Sequence, residues 1–277
     1  MSLQWYPGHM TKARRELAAL MPSQDVVIEV LDARLPAASS NPLLTELRGA
    51  KPCVKVLAKA DLADPQVTKA WLQYFGAQPD VAAFEATTGR PAQTRQRIAE
   101  LCHGMARQRG PGKAVRALIA GVPNVGKSTL INVLMQNASA AAVGNKPAVT
   151  KEQKTFTLPN GMKLSDSPGI LWPKIVDERG AFKLALAGSI PDTAIEYVTI
   201  AMFGAELLLT HYASLLVARF KLDAAPDNPE QLLNEIGRRR GCLRQGGEVD
   251  VQKASELFVN EFRAGSIGRI SLEAPGP

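Results

Sequence analysis

The sequence predicts an α/β domain, with a mostly parallel sheet covered by helices on both faces, followed by a small all-helical domain. Three observations predict it. Between about residues 21 and 180, short β-branched runs alternate with helical stretches, as in a parallel sheet with crossover helices. One run leads into GVPNVGKS at 121–128 and then into a helix, the setting a phosphate-binding loop requires. After about residue 181 the strand-like runs stop and helical stretches dominate. The expected layout is an N-terminal arm and helix at 1–20, an α/β domain at 21–180 and a helical domain at 181–277.

In chain order, Pro7-Gly8 makes a turn and 11–20 favours helix. VVIEVLD at 26–32 and CVKVLA at 53–58 are strands rich in β-branched residues, and VAAFEA at 81–86 is a weaker one. Helical patterns lie at 41–49, 65–75 and about 94–109. RGPGK at 109–113 reads as a surface connection. A strand at 115–120, the phosphate loop and a helix from Lys127 follow, then strands at 155–158 and 162–166. The last domain holds helices at 181–187, 192–203, 206–220, 229–240 and 250–264. Asp250 can cap the last of these and Gly265 can close it. The most apolar stretch, 197–220, is interrupted by Glu206, His211 and Arg219, so a buried core helix is expected and not a membrane span.

With 277 residues, 45% of them hydrophobic, the chain can build one large core and a smaller one. Its net charge of +7 suits an anionic partner, nucleic acid first. Cys53, Cys102 and Cys242 are odd in number, widely spaced and without a CxxC pair, which argues against a disulfide framework or a zinc site and fits a reducing cytoplasm. No apolar stretch precedes the charges of the N-terminus, so no signal peptide is expected.

The phosphate loop gives the chemistry. Its glycines let backbone N–H groups approach phosphate oxygens at a helix N-terminus, over Asn124, Val125, Gly126, Lys127, Ser128 and Thr129. Lys127 would reach the β- and γ-phosphates and Ser128 would place its hydroxyl on Mg²⁺. In DSPG at 166–169, Asp166 would hold Mg²⁺ and the Gly169 N–H would meet the γ-phosphate. Between them, KPAVTK at 146–151 places Thr150 for Mg²⁺. In AKAD at 58–61, the Asp61 carboxylate can accept two hydrogen bonds from guanine, and the stem of Lys59 can lie over the base. EATTG at 85–89 fits a second base-contacting loop, with Ala86 and Thr87 offering a backbone N–H to guanine O6. In ordinary small GTPases the phosphate loop precedes the base-reading segment. Here the order is reversed, as in a circularly permuted domain, and a new linker would fall near 109–113, where unpermuted ends would lie.

With these motifs in this order, the chain closely resembles the YlqF/RbgA family of circularly permuted GTPases, ribosome biogenesis GTPase A. The resemblance spans nearly the whole chain and includes WYPGHM at 5–10, DARLPAASSNP at 32–42, GVPNVGKS, DSPGI and FRAGSIGRISLE at 262–273. It implies GTP hydrolysis coupled to late maturation of the large ribosomal subunit, and a GTPase domain followed by a helical RNA-binding domain. Two residues depart from the family pattern. Ala58 replaces the Asn of NKxD, which normally ties this loop to the phosphate loop, so weakened guanine affinity with a retained preference is expected. Ala148 replaces the Gly of PGVTK, which would stiffen the first switch.

Many GTPases orient the attacking water with a Gln after DxxG; here that position is Ile170, which has no hydrogen-bonding side chain. Another group must act, because intrinsic turnover of a small GTPase can be on the order of 10⁻⁴ s⁻¹ and an added element can supply about 10³–10⁵-fold. His9 is the candidate, matching the PGHM histidine to which the family resemblance attributes catalysis. His103 and His211 fall on helices and read as structural. Asn124 is a candidate for binding potassium, which the resemblance implies and which could supply charge in place of an arginine finger. Arg238, Arg239, Arg240 and Arg244, with Arg263 and Arg269, make the helical domain a candidate rRNA-binding face, while Lys12, Arg14 and Arg15 add charge beside His9. The partners expected are GTP or GDP and the large ribosomal subunit with its rRNA; no membrane is expected, and the protein is expected to be a monomer. Two other readings stay open: a nucleotide-gated rRNA-binding factor with little intrinsic hydrolysis, which Ile170 favours, and an ATPase, which Ala58 motivates.

Overall fold

The computed structural model describes residues 8–106, 113–136, 154–167 and 178–276. The described residues form two compact units, one running from the first helix through the sheet and taking up 273–276, the other running from 178 to 272.

The first unit opens with α1 (Gly8–Leu20) and continues through β1 (Val26–Asp32), α2 (Pro36–Ser39), α3 (Pro42–Arg48), β2 (Cys53–Ala58), α4 (Pro65–Gly76), β3 (Val81–Glu85) and α5 (Pro91–Met105). It then runs through β4 (Arg116–Ala120), α6 (Lys127–Met135), β5 (Lys154–Thr157) and β6 (Lys163–Asp166). The sheet order is β3-β2-β1-β4-β6-β5. All neighbours are parallel except β5, which turns back antiparallel on β6. β4, which feeds the phosphate loop, therefore lies in the middle. The first three strands of the chain fill one side of it and the last two fill the other, the arrangement of a circularly permuted P-loop domain.

β1 and β2 are buried at every residue, because helices cover both faces and alternation gives way to continuous apolar runs. On one face Leu17 and Met21 pack with Leu31, Leu57, Trp71 and Phe75 into a single cluster. Three polar side chains, Glu29, Asp32 and Lys55, intrude on these strands. Glu29 and Lys55 stand opposite each other in register and form a buried ion pair. Glu29 also accepts hydrogen bonds from Asn41 N and Ser40 Oγ, which fixes the chain entering α3. Caps set the helix starts: the Asn41 side chain accepts from Leu43 N, and the Asp64 side chain from Gln66 N and Val67 N, each with proline at the next position.

The second unit holds α7 (Glu178–Leu186), α8 (Tyr197–Phe220), α9 (Pro229–Arg240) and α10 (Val251–Arg263). Asn228 and Asp250 cap α9 and α10 through their side chains, and Gly265 follows α10 with φ 72°. The sequence expects two helices at 192–203 and 206–220; in the structure α8 starts at Tyr197 and is two helical segments joined at a kink at Tyr212. Gly204 does not break it. A β-carbon there would lie 3.0 Å from Leu186 and 3.2 Å from Phe258, so the glycine serves close helix packing. α8 is long and apolar enough to cross a membrane by length and composition alone; one face is buried inside this unit, while Glu206 and His211 are exposed.

Candidate nucleotide-binding site

Three loops at the C-terminal ends of the parallel strands β4, β2 and β3 form the candidate site, where open parallel sheets bind ligands. The first follows β4. Gly121 is packed so tightly that a β-carbon would lie 2.5 Å from the Val30 carbonyl oxygen and 3.0 Å from Val125. Asn124 (φ 56°) and Gly126 (φ 111°) are both left-handed. This path delivers the chain to the N-terminus of α6 with no side-chain cap on its first turn, where N–H groups suit a phosphate. Lys127 is buried at the head of α6; burial pushes its ammonium below the usual lysine range, and Asp166 opposes that in part. An anionic ligand would relieve the cost of that buried cation.

Asp166 ends β6, in register with Ile119 of β4, and is 2% exposed. The next residue pins the chain, since both Ser167 N and Ser167 Oγ donate to Ile119 O. The β4–β6 pairing thus brings a carboxylate beside the strand that carries the phosphate loop. A Ser128 hydroxyl and one carboxylate are hard oxygen donors, which fit Mg²⁺, a cation held by few protein groups together with substrate phosphates. Among the described residues no group of three His, Cys, Asp or Glu side chains could hold a metal by itself. Thr150, Gly169 and Ile170, and with them Ala148, lie outside the described residues.

The second loop follows β2. Lys59 sits in the left-handed region (φ 57°), and its Nζ donates to Asp32 Oδ2 and to the Asn124 carbonyl, both at 2.8 Å. Ala58 stands beside the phosphate loop: a β-carbon on Gly126 would lie 3.5 Å from the Ala58 methyl. So the amide missing at position 58 is adjacent to the loop it would have tied, and Lys59 makes a tie instead. Asp61 is exposed, its carboxylate open to a ligand. The third loop follows β3. Here the Ala86 N–H donates to Leu57 O at 2.8 Å and is used within the sheet, which leaves Thr87 as the candidate donor of this loop.

Sequence reasoning singled out Asp32 and Arg34 only as part of a motif. In the structure both are buried. Arg34 holds the carboxylate through Nε–Oδ1 at 2.9 Å and Nη2–Oδ2 at 2.8 Å. Burial alone would raise the Asp32 carboxyl, but Arg34 and then Lys59 outweigh it and hold it well below the usual carboxylate range. An Asp at the end of a mostly apolar strand, two residues before an Arg, was the available signal.

His9 stands in the first turn of α1, and its side chain lies outside the described residues, as does that of Lys12. His103 Nδ1 lies 2.8 Å from Ala99 O on α5, and His211 is exposed on α8. The arginines of the helical unit divide. Arg238 and Arg244 are exposed, the first paired with Glu235 and the second 3.8 Å from Asp250. Arg239 pairs with the exposed Asp223. Arg240, by contrast, lies over the Phe220 ring and 3.4 Å from Glu261, and Arg263 binds Asp192 and the carbonyls of Ala185 and Leu186. Both contact their own unit: Arg263 satisfies carbonyls at the end of α7, and Arg240, though exposed, packs on Phe220. Arg269 is exposed.

Residues 116–204 match the protein family described as 50S ribosome-binding GTPase. The chain is 39% identical to ribosome biogenesis GTPase A of Bacillus cereus, over 99% of this chain and 95% of that one. It is 40% identical to the protein of the same name from Priestia megaterium, over 99% and 98%. Among solved structures it resembles GNP-bound YlqF from T. maritima, with a TM-score of 0.66, 30% identity, and 95% of this chain and 98% of that chain covered.

Proposed function

The chain belongs to the ribosome biogenesis GTPase A (YlqF/RbgA) family, GTPases that act in ribosome assembly, and from that premise we propose that it hydrolyses GTP on the large ribosomal subunit late in its maturation. The observation that carries this reading is the convergence of the uncapped α6 N-terminus, the buried Lys127 and the Asp61 loop tied to it through Lys59. The first two bind phosphate, and the exposed Asp61 carboxylate reads the guanine edge.

The family's usual Mg²⁺ dependence would rest here on Ser128 and Asp166, with Thr150 completing the set. When bound, the ion neutralises charge on the phosphates. Asn124 is the proposed potassium contact. Because Ile170 cannot orient water, His9 takes that role in this reading, and docking on the subunit brings it into place. Thr87 N–H and Asp61 supply guanine selectivity. Arg238, Arg239 and Arg244 form the rRNA-facing surface; exposed arginines at the end of α9 offer their guanidinium groups to phosphates without breaking the unit's packing.

GTP turnover in potassium buffer, with and without purified large subunits, tests the proposal. Stimulation on the order of 10²-fold or more, lost in His9→Ala, supports it. Binding without stimulation favours the second reading, a nucleotide-gated rRNA-binding factor, which Ile170 supports. Tighter binding of ATP than of GTP would overturn guanine recognition by Asp61.

A further inference from the structure

Resting on the guanine-nucleotide reading above, we propose that Asp32 is a positioning residue for nucleotide binding: it holds the Lys59 ammonium against the Asn124 carbonyl and so locks the base-reading loop to the phosphate loop. In this chain the loop after β2 has lost the side chain that would make that tie, because Ala58 presents only a methyl to Gly126. What remains is a relay. Arg34 grips the Asp32 carboxylate from one side with two hydrogen bonds, and Arg34 N donates to Oδ1 at 3.1 Å. The other oxygen, Oδ2, accepts from Lys59 Nζ, which spans 2.8 Å to Asp32 and 2.8 Å to Asn124 O.

The position of Asp32 is itself overdetermined. Its backbone N–H donates to Ser39 Oγ, and the Ala33 N–H donates to Ala58 O, so the end of β1 is stitched to α2 and to the end of β2. Asp32 is wholly buried, whereas the Lys59 side chain is 26% exposed. A carboxylate fixed in the protein interior thus orders a partly exposed lysine. Lys59 also holds a left-handed backbone, strained for a residue with a β-carbon, and such strain persists only where the surroundings impose it.

The test is a double-mutant cycle on affinity for a fluorescent GDP, in the full chain, with apo thermal melts run alongside. Wild-type binding is measured first; its absence would strike the guanine-nucleotide reading and not the relay. Asp32→Asn and Lys59→Met are each expected to weaken GDP roughly tenfold, and the double variant to fall within about twofold of Lys59→Met alone. Ala58→Asn, which restores an amide beside Gly126, is expected to recover most of the loss in the Asp32→Asn background. A purely structural role would give no such rescue. If Asp32→Asn loses its cooperative melt, Asp32→Asn with Arg34→Met replaces it, removing the buried anion together with its buried cation. Unchanged affinity on losing Asp32, or losses that multiply in the double variant, would overturn the proposal.

Discussion

Gly121 and Lys127 show how single residues set the phosphate loop. Gly121 is there because the Val30 carbonyl occupies the space of a side chain. Gly121→Ala is expected to cost about 1–3 kcal/mol in apo stability, as overpacking does, and to weaken GDP as the loop shifts; a melt with the wild-type midpoint would refute this. Lys127 carries a pH signature. Its folded value is lowered from the ordinary 10.5 by burial, so between the lowered and the ordinary value the unfolded chain binds more protons. Apo stability from this group therefore rises with pH through that window. Bound phosphate favours the ammonium, so GDP binding should take up protons in the same alkaline window. Calorimetry in buffers of different ionisation enthalpy checks it, and zero uptake would refute it.

Side chains cap the starts of α3, α4, α9 and α10, and burial holds β1 and β2. Asp250 accepts from Lys253 N at the start of α10. Asp250→Ala should lower stability by about 1 kcal/mol, read from denaturant midpoints. Cys53 on β2 and Cys102 on α5 are buried, and burial pushes both thiols up to about 12, with the Glu29 charge adding to the effect at Cys53. A thiol reagent should leave both unmodified until the protein unfolds; rapid labelling at native pH would contradict the packing of α5 against β2. Strand limits were legible because β-branched runs stop at glycine, proline and polar residues. The place of the break in α8, at Tyr212 and not at Gly204, was not, since a glycine that permits close packing looks the same in sequence as one that breaks a helix.

For the whole molecule, a charge of +7 leaves the partner open, and the structure narrows which arginines can meet it. Reversing Arg238, Arg239 and Arg244 to Glu should weaken subunit binding and flatten its salt dependence, measured over a salt series. Arg240→Glu should instead lower stability, because its guanidinium stacks on Phe220 near Glu261. Equal effects at all four positions would undo this division.

The sequence by itself determined the α/β class, the permuted order of the motifs, the phosphate loop and the family, because these depend on local patterns and their order along the chain. The tertiary structure alone decided that Lys59 reaches both Asp32 and Asn124, that the Ala86 N–H is consumed by Leu57, and that Arg240 and Arg263 serve their own unit. The first of these links residues 27 and 65 positions apart in the chain. Such contacts arise from strand register and helix packing, which bring distant residues together and leave no periodic trace in the sequence.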